Sequence, residues 1–165
     1  MQLTDEIIEQ LIQASGFKRD GSMQLIMVIK CIAVNPETPV HVLDALAYHT
    51  LADVLERVAE NKNTPPEVLA KLAQHNCPSV RAAVADNPNV PEQVLWLLVG
   101  DESVDVRYQL AENCNLPHVI IETLTKDDNA YVAYRAIMSL KRLQSRGVTG
   151  RIRRWSGGAG KAANG

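Results

Sequence analysis

The side chains best suited to recognising another molecule are aromatic and basic, and some of them recur at a fixed interval. Tyr108 and Tyr134 are 26 residues apart, and Arg135 follows the second of them. Aromatic and arginine side chains carry much of the binding energy at protein interfaces, because they bury a large area and make directed contacts. The predicted partner-binding residues are therefore Trp96, Arg107, Tyr108, Tyr131, Tyr134 and Arg135.

A second candidate contact is the basic and aromatic cluster Arg151-Ile152-Arg153-Arg154-Trp155. Residues 141–165 contain seven Lys and Arg and no acidic residue, whereas residues 1–140 contain 10 basic and 19 acidic residues. Such a cluster can bind nucleic-acid phosphates, an anionic lipid surface or an acidic protein face. The alternative is a flexible, glycine-rich tail over 145–165 that is solvated or folds back on the acidic part of the chain. The predicted tail contacts are Arg151, Arg153, Arg154 and Trp155.

Catalytic and metal-binding groupings are not indicated. The repeating histidines His49 and His75 would lie about 10 Å apart if each belongs to one of two adjacent helical units. Zinc requires nitrogen ligands at about 2.0–2.1 Å, so this pair cannot complete a metal shell. The sequence predicts no enzyme, no metal and no cofactor.

The elements that position these residues follow from a five-residue signature, which opens with asparagine and closes with proline. It occurs at 35–39, 61–65, 87–91 and 113–117, always 26 residues apart. A fixed period of this length is typical of stacked supersecondary units, each of which needs a neighbour to bury its apolar face. Four such units exceed the roughly three that a stable stack requires.

Each unit is predicted to contain two short one-sided helices. In the first helix, apolar residues recur as Leu43, Leu69, Leu95 and Ile121, and as Leu46, Leu72, Leu98 and Leu124. In the second, the columns are Val54, Val80, Val106 and Val132; Val58, Val84, Leu110 and Ala136; and Ala59, Ala85, Ala111 and Ile137. This spacing is typical of an amphipathic helix. The predicted helix caps are Thr38 and Thr64 for first helices, and Thr50, Asn76, Asp101 and Asp128 for second helices.

Two further ladders have a structural interpretation. Asn35, Asn61, Asn87 and Asn113 end the second helices, where a carboxamide can satisfy the backbone groups of a turn. Arg81 and Arg107 lie 20 residues before Asp101 and Asp127, and we expect arginine–aspartate pairs between adjacent units. The alternative is that these arginines face a ligand.

The run from Val80 to Pro91 and the following Val94-Leu95 resemble the leucine-rich repeat variant family, over about residues 28–137. This resemblance implies a superhelix of short helices, related in shape to HEAT and armadillo solenoids, whose inner helices line a groove for partners. Leu55 and Ala133 depart from the family pattern, because they replace the arginine of its valine-arginine pair. The founding member of the family also carries an iron–sulfur cluster, which needs four thiolates. This chain has three cysteines, and none precedes Cys31.

The predicted organisation is an all-α solenoid with a helical cap over 1–27, a repeat array over 28–144 and a basic tail over 145–165. The apolar run at 23–34 is too short to cross a bilayer, and the acidic residues near the start do not fit a signal peptide. Cys31, Cys77 and Cys114 have no paired spacing, which favours free thiols in a reducing, cytoplasmic location.

Two functions remain open. The first is a protein–protein interaction module, an adaptor or scaffold, that uses the strip around Tyr108 and Tyr134. The second is a nucleic-acid-associated protein that uses its basic tail, with a HEAT-like DNA glycosylase as the enzymatic variant. The acidic array counts against nucleic acid, because its charge repels phosphates.

Overall fold

The computed structural model describes residues 22–145, which form nine α-helices and no strand. These helices are α1 (Ser22–Val34), α2 (Val40–Leu46), α3 (Ala52–Glu60), α4 (Pro66–Leu72), α5 (Pro78–Asp86), α6 (Glu92–Val99), α7 (Val104–Glu112), α8 (His118–Leu124) and α9 (Ala130–Ser145). First helices begin at 40, 66, 92 and 118, and second helices at 52, 78, 104 and 130, so both kinds keep the 26-residue interval. The predicted all-α helical solenoid is confirmed.

The helices form two rows. In the second-helix row, α1, α3, α5, α7 and α9 follow one another in direct contact, whereas most successive first helices pack much less closely. The fully buried alanines Ala59, Ala85 and Ala111 lie in this row and allow its helix backbones to approach. The second-helix row is therefore the more closely packed of the two.

The core lies between the two rows and consists of the predicted columns. Leu43, Leu69, Leu95 and Ile121 are fully buried, as are Val54, Val80, Val106 and Val132. One member departs from the prediction, because Ile137 is 39% exposed although Ala59, Ala85 and Ala111 in the same column are buried. That column faces the next unit, and beyond α9 the structure describes no helix that could cover Ile137.

Hydrogen bonds from the asparagine ladder join neighbouring units. The Nδ2 group of Asn87 donates to the carbonyl of Ala59 at 2.6 Å and to that of Asn61 at 2.9 Å. Its Oδ1 atom accepts the N–H of Asn89 at 2.9 Å. Ser139 stands at the equivalent position of the last unit, and its hydroxyl donates to the carbonyl of Ala111 at 2.7 Å. The structural role predicted for the asparagines is confirmed, and the bonds to the preceding unit extend it.

Thr38 and Thr64 of the signature were predicted to cap first helices, and this prediction is wrong. Pro39 and Pro65 occupy the N-cap positions of α2 and α4, and neither forms a side-chain capping bond. The hydroxyls of Thr38 and Thr64 donate backwards instead, to carbonyls in the preceding second helix. Both side chains are buried, so their hydroxyls satisfy carbonyls that water cannot reach.

The predicted caps of second helices also need correction. Leu51, Cys77 and Ser103 are the N-cap residues of α3, α5 and α7, and none of them forms a capping hydrogen bond with its side chain. The side chain two residues earlier accepts the N–H of the N-cap residue, from His49, His75 and Asp101 respectively. Asp127 has the same role at α9, because its Oδ1 atom accepts the N–H of Asn129 at 2.8 Å. The Oδ1 atom of Asn129 in turn accepts the N–H groups of Tyr131 and Val132. Of the four predicted caps, Asp101 alone accepts such a bond.

The predicted domain boundaries stay predictions. Helix α1 runs across the boundary placed between residues 27 and 28, and the rest of the predicted cap lies outside the described residues. Nearly all of the predicted tail, including Arg151, Arg153, Arg154 and Trp155, also lies outside them. Among residues 22–145, no helix has the length and apolar character needed to cross a membrane.

Candidate partner-binding face

The outward side of the second-helix row presents four positions on each helix. We call this surface the second-helix face. Helix α3 contributes Asp53, Glu56, Arg57 and Glu60; α5 contributes Ser79, Ala82, Ala83 and Asp86; α7 contributes Asp105, Tyr108, Gln109 and Glu112; and α9 contributes Tyr131, Tyr134, Arg135 and Met138. These positions lie opposite the buried columns of the same helices, so the fold does not require their side chains for its core.

Three exposed tyrosines lie on α7 and α9. Tyr108 is 38% exposed, Tyr134 is 64% exposed and Tyr131 is 78% exposed. Tyr108 and Tyr134 hold equivalent positions on two helices in direct contact, and Tyr131 precedes Tyr134 by nearly one turn of the same helix. The predicted aromatic strip is therefore present as a surface feature, and it lies at the end of the row that is formed by the last two units.

Both arginines of this face are in ion pairs with its carboxylates. Arg135 contacts Glu112 on the neighbouring helix, and Arg57 contacts Glu60 on its own helix at 2.6 Å. Lys30 extends from α1 to Asp53 at 2.6 Å. The Nε atom of Arg135 is buried and has no hydrogen-bond partner. The structure thus places Arg135 beside the tyrosines, with its guanidinium group held by Glu112.

Three carboxylates of the face, Glu56, Asp86 and Asp105, form no ion pair among the described residues. Burial raises the pKa of Asp86, and the negative charges of Glu112 and Glu60 raise it further, against a hydrogen bond from Gln109 that lowers it. The acid positions Glu60, Asp86 and Glu112 are equivalent in successive units. Like charges therefore align along the second-helix face, and the middle carboxylate lacks a cation.

Arg107 occupies a different place from the tyrosines, although it precedes Tyr108 in the sequence. Its Nε and Nη2 groups donate to the two carboxylate oxygens of Asp127 at 2.7 and 3.1 Å, and its Nη1 group donates to the carbonyl of Asp101 at 2.7 Å. Arg81 binds Asp101 in the same bidentate way, at 2.7 and 2.8 Å. The expected pairing of arginine and aspartate between units is confirmed.

Electrostatics favour the charged form of these aspartates. Burial acts to raise the pKa of Asp101, but hydrogen bonds from Arg81 and from the N–H of Ser103 outweigh it, so the pKa lies below its usual value. Burial also acts to raise the pKa of Asp127, but hydrogen bonds from Arg107 and from the N–H of Asn129 outweigh it, so this pKa too lies below its usual value. Bidentate pairs of this kind are among the stronger polar contacts in proteins. Each of the two pairs joins a second helix to the turn between the two helices of the following unit.

Trp96 lies on α6, in the first-helix row, and is 42% exposed. The outer face of that row is on the other side of the core from the tyrosines. The structure therefore brings together Tyr108, Tyr131, Tyr134 and Arg135, and it separates Trp96 and Arg107 from them. The role of each residue in binding stays a prediction.

An open cavity of about 360 Å³ lies at the turn between α6 and α7, beside α8. Arg107, Lys126 and Asp128 are among its lining residues. Gly100 also lines it, at the position that Tyr48, Gln74 and Lys126 occupy in other units, so the missing side chain leaves space there. In the sequence, the one signal of this cavity is a single glycine at a position where the other units have larger residues, which is too little to predict it.

Within residues 22–145, no group of three or more His, Cys, Asp or Glu side chains is placed to hold a metal ion. The imidazoles of His49 and His75 accept backbone N–H groups in their own turns. Cys31, Cys77 and Cys114 are free thiols.

Comparison with protein families is informative at this point. Residues 53–113 match the family model of the Leucine Rich Repeat Variant domain. The resemblance inferred from the sequence is thereby confirmed over this segment, which runs from α3 to the end of α7. The search of curated proteins and the search of solved structures gave no match.

The Leucine Rich Repeat Variant segment contains the bidentate pair of Arg81 with Asp101 and three members of the asparagine ladder, Asn61, Asn87 and Asn113. It also contains Tyr108 and Asp86, whereas Tyr134 lies beyond it. Leucine Rich Repeat Variant domains are a non-catalytic repeat family, and repeat domains of this type are typical of protein-interaction modules. The candidate face therefore combines a segment that matches this family model with a last unit outside the match.

Proposed function

We propose that this chain is a non-enzymatic interaction module, an adaptor or scaffold, that holds a protein or peptide on the second-helix face. The observation that carries the proposal is the alignment of Tyr108 and Tyr134. Both rings are exposed on adjacent helices, and neither contributes to the core. Tyrosines supply a large, rigid contact area at low entropic cost, so a strip of them on an otherwise charged surface favours partner binding.

The position of the strip also supports this proposal. It lies on the row in which successive second helices are in direct contact, so an extended segment there can contact several units at once. Arg135 lies within the strip, already oriented by Glu112. Trp96 is on the first-helix row and provides a separate surface, which we assign at most an auxiliary role.

The test replaces Tyr108 and Tyr134 together with alanine. Substitution of exposed side chains changes the free energy of unfolding by about 0.5 kcal/mol or less at each site, so the array should remain folded. The matched control is Tyr48→Ala, since Tyr48 is 69% exposed but lies at the end of α2, in the first-helix row. We expect the double variant to lose partners that the wild type and the control retain.

The readout is photo-crosslinking from a benzophenone side chain placed at position 134 or at position 48, followed by mass spectrometry. Partners should be attached at position 134 and absent at position 48. Circular dichroism checks that the helix content is unchanged. Equal crosslinking at the two positions, or partner capture by the Tyr108→Ala/Tyr134→Ala variant that equals that of the wild type, would rule out this surface.

A nucleic-acid-associated function is the second candidate, and it depends on the basic residues after 140. Those residues carry seven positive charges, which could neutralise phosphates. The acidic second-helix face does not favour it, and a glycosylase-like activity has no support among the described residues. If the intact protein is not retained on nucleic acid at low salt, or if removal of residues 146–165 leaves retention unchanged, this candidate is excluded.

A cytoplasmic location belongs to the same proposal. Its support is that the three cysteines are free thiols, as expected in a reducing compartment.

A further inference from the structure

The second-helix face has a local deficit of positive charge around α5. Helix α5 presents Ser79, Ala82, Ala83 and Asp86, which are short side chains in a row where the flanking helices present longer ones. On one side stand Glu56 and Arg57, and on the other stand Tyr108 and Gln109. The surface therefore has a shallow depression over α5, with a carboxylate at one end.

The charges that border this depression are unbalanced. Arg57 is engaged with Glu60, and Arg135 with Glu112, whereas neither Asp86 nor Asp105 is paired with a cation from residues 22–145. A cation placed beside Asp86 would interact favourably with it and reduce its repulsion from Glu60 and Glu112.

Aromatic rings lie next to these carboxylates. Tyr108 borders the depression, and Tyr134 stands at the equivalent position of the next helix. The face of a tyrosine ring attracts an arginine guanidinium group electrostatically, and the ring also stacks with another aromatic ring. The surface thus matches a short segment that carries several arginines and one aromatic residue.

The chain contains such a segment, Arg151-Ile152-Arg153-Arg154-Trp155, within a stretch of seven positive charges and no acid. Charge complementarity is strong, because residues 1–140 have a balance of nine negative charges. The last described residue, Ser145, ends α9, which is itself a member of the second-helix row. The chain therefore continues beyond Ser145 from the same row of helices that carries the complementary charges.

The distance is also compatible. Six residue steps join Ser145 to Arg151, and an extended chain covers about 3.3 Å per residue, or about 20 Å. Adjacent helices are about 8–10 Å apart, so α5 lies about 16–20 Å from α9 across the row. The position equivalent to Asp86 on α9 is Met138, about 10 Å before Ser145 along the helix axis. The distance from Ser145 to Asp86 that results from these two components is about 20 Å. A long arginine side chain extends the reach of the segment further.

We propose that the segment Arg151–Trp155 docks on the second-helix face of its own array, with its arginines beside Asp86 and Asp105 and with Trp155 against Tyr108 and Tyr134. The segment would then cover the surface assigned above to the partner, and a partner would have to displace it. The docking itself involves no partner, so its measurement can fail or succeed independently of the proposed function.

The experiment uses Trp155 as the reporter in the full-length chain with Trp96→Phe, where it is the only tryptophan. Acrylamide quenching is compared with that of a synthetic peptide of residues 145–165. We expect about two-fold weaker quenching in the protein at about 10 mM salt, and quenching equal to that of the peptide at about 1 M salt, where charges are screened beyond about 3 Å.

Two variants locate the contact. Asp86→Asn should increase the quenching of Trp155 toward the peptide value, whereas Asp44→Asn, an exposed carboxylate on the first-helix row, should leave it unchanged. Replacement of Arg151, Arg153 and Arg154 with serine should have the same effect as high salt. If Trp96→Phe lowers the helix content, fluorine NMR of the intact chain labelled with 5-fluorotryptophan reports the same change at Trp155.

Three results would overturn the proposal. Quenching of Trp155 at low salt could equal that of the free peptide, or Asp44→Asn could act as strongly as Asp86→Asn. Protection of Trp155 could also rise with protein concentration between about 1 and 50 μM, which would mean that the segment binds a second copy, since contact within one chain is independent of concentration.

Discussion

The asparagine ladder makes a quantitative prediction at Asn87. This side chain is 2% exposed and forms three hydrogen bonds, two of them to carbonyls of the preceding unit. Asn87→Ala removes all three and leaves the carbonyls of Ala59 and Asn61 without this donor in the interior. A typical bond contributes about 0.5–1.5 kcal/mol, and a buried group left without a partner costs about 1–3 kcal/mol. We therefore expect a loss of about 3 kcal/mol in the free energy of unfolding.

Two matched variants separate the contact between units from the local turn. Asn35→Ala removes the bond to the N–H of Glu37 at an exposed position, so it should cost about 0.5–1 kcal/mol. Asn87→Ser can keep one bond to the preceding unit, as Ser139 does with Ala111 at 2.7 Å, and should cost about 1–2 kcal/mol. The predicted order of stability is Asn35→Ala, then Asn87→Ser, then Asn87→Ala.

The assay is urea unfolding followed by circular dichroism, together with thermal unfolding. For a chain of this length, 1 kcal/mol corresponds to about 2–4 °C, so Asn87→Ala should lower Tm by about 6–12 °C. The slope of the urea transition should be compared among variants, because an array can lose cooperativity when one interface weakens. If Asn87→Ala destabilises the chain no more than Asn35→Ala, the bonds between units do not stabilise the stack, and the reasoning is wrong.

Three further predictions concern the polar turns. Asp101→Ala should cost about 3 kcal/mol at pH 7, because the buried Arg81 loses its bidentate partner and keeps only Glu102 at 3.4 Å as a carboxylate contact, besides two backbone carbonyls. The pKa of Asp101 is lowered, so its contribution is complete above the usual carboxyl pKa and is lost as pH falls through the lowered value. Urea unfolding should therefore show a smaller difference between variant and wild type at low pH, and a constant difference would contradict the pairing. Hydrogen bonds from the hydroxyl and the backbone N–H of Ser79 lower the pKa of Cys77. In a chain whose other two cysteines are replaced by serine, Ser79→Ala should therefore move the pH midpoint of Cys77 alkylation upward. An unchanged midpoint would show that the hydroxyl does not lower this pKa. Gly100→Ala should stabilise the chain by about 0.4–1 kcal/mol in the same urea assay. The φ angle of Gly100 is −95°, and an added Cβ would meet nothing closer than the carbonyl oxygen of Leu97 at 3.8 Å. A loss of stability would show that the turn requires glycine.

The repeat and its helices could be predicted from the sequence because their signals are local. The signature sets where a second helix ends and the next first helix begins, and the apolar columns identify the buried side of each helix. Leu43 and Val54, for example, are fully buried as the spacing predicts. The resemblance to the Leucine Rich Repeat Variant family depends on proline, asparagine and valine-arginine recurring at the same positions of each unit. The family match over 53–113 confirms this resemblance.

The candidate site could be predicted only in part. The interval between Tyr108 and Tyr134 placed the two rings on adjacent helices, and their exposure agrees with that placement. Arg107 could be assigned from the sequence either to a ligand or to Asp127, because both assignments satisfy the same spacing. The bidentate geometry of 2.7 and 3.1 Å shows that its guanidinium group is engaged by Asp127.

By itself, then, the sequence determined the 26-residue period, the all-α class, the buried columns and the acidic balance of the array, since each depends on residue type and on spacing within one unit. Tertiary structure alone decided that Thr38 donates backwards, that Asn87 reaches the carbonyl of Ala59 and that Ile137 is exposed at the last unit. It also decided that no cation of the described helices lies beside Asp86. Each of these depends on which atoms of a neighbouring unit come within hydrogen-bonding or packing distance. That distance exists only after the units have stacked.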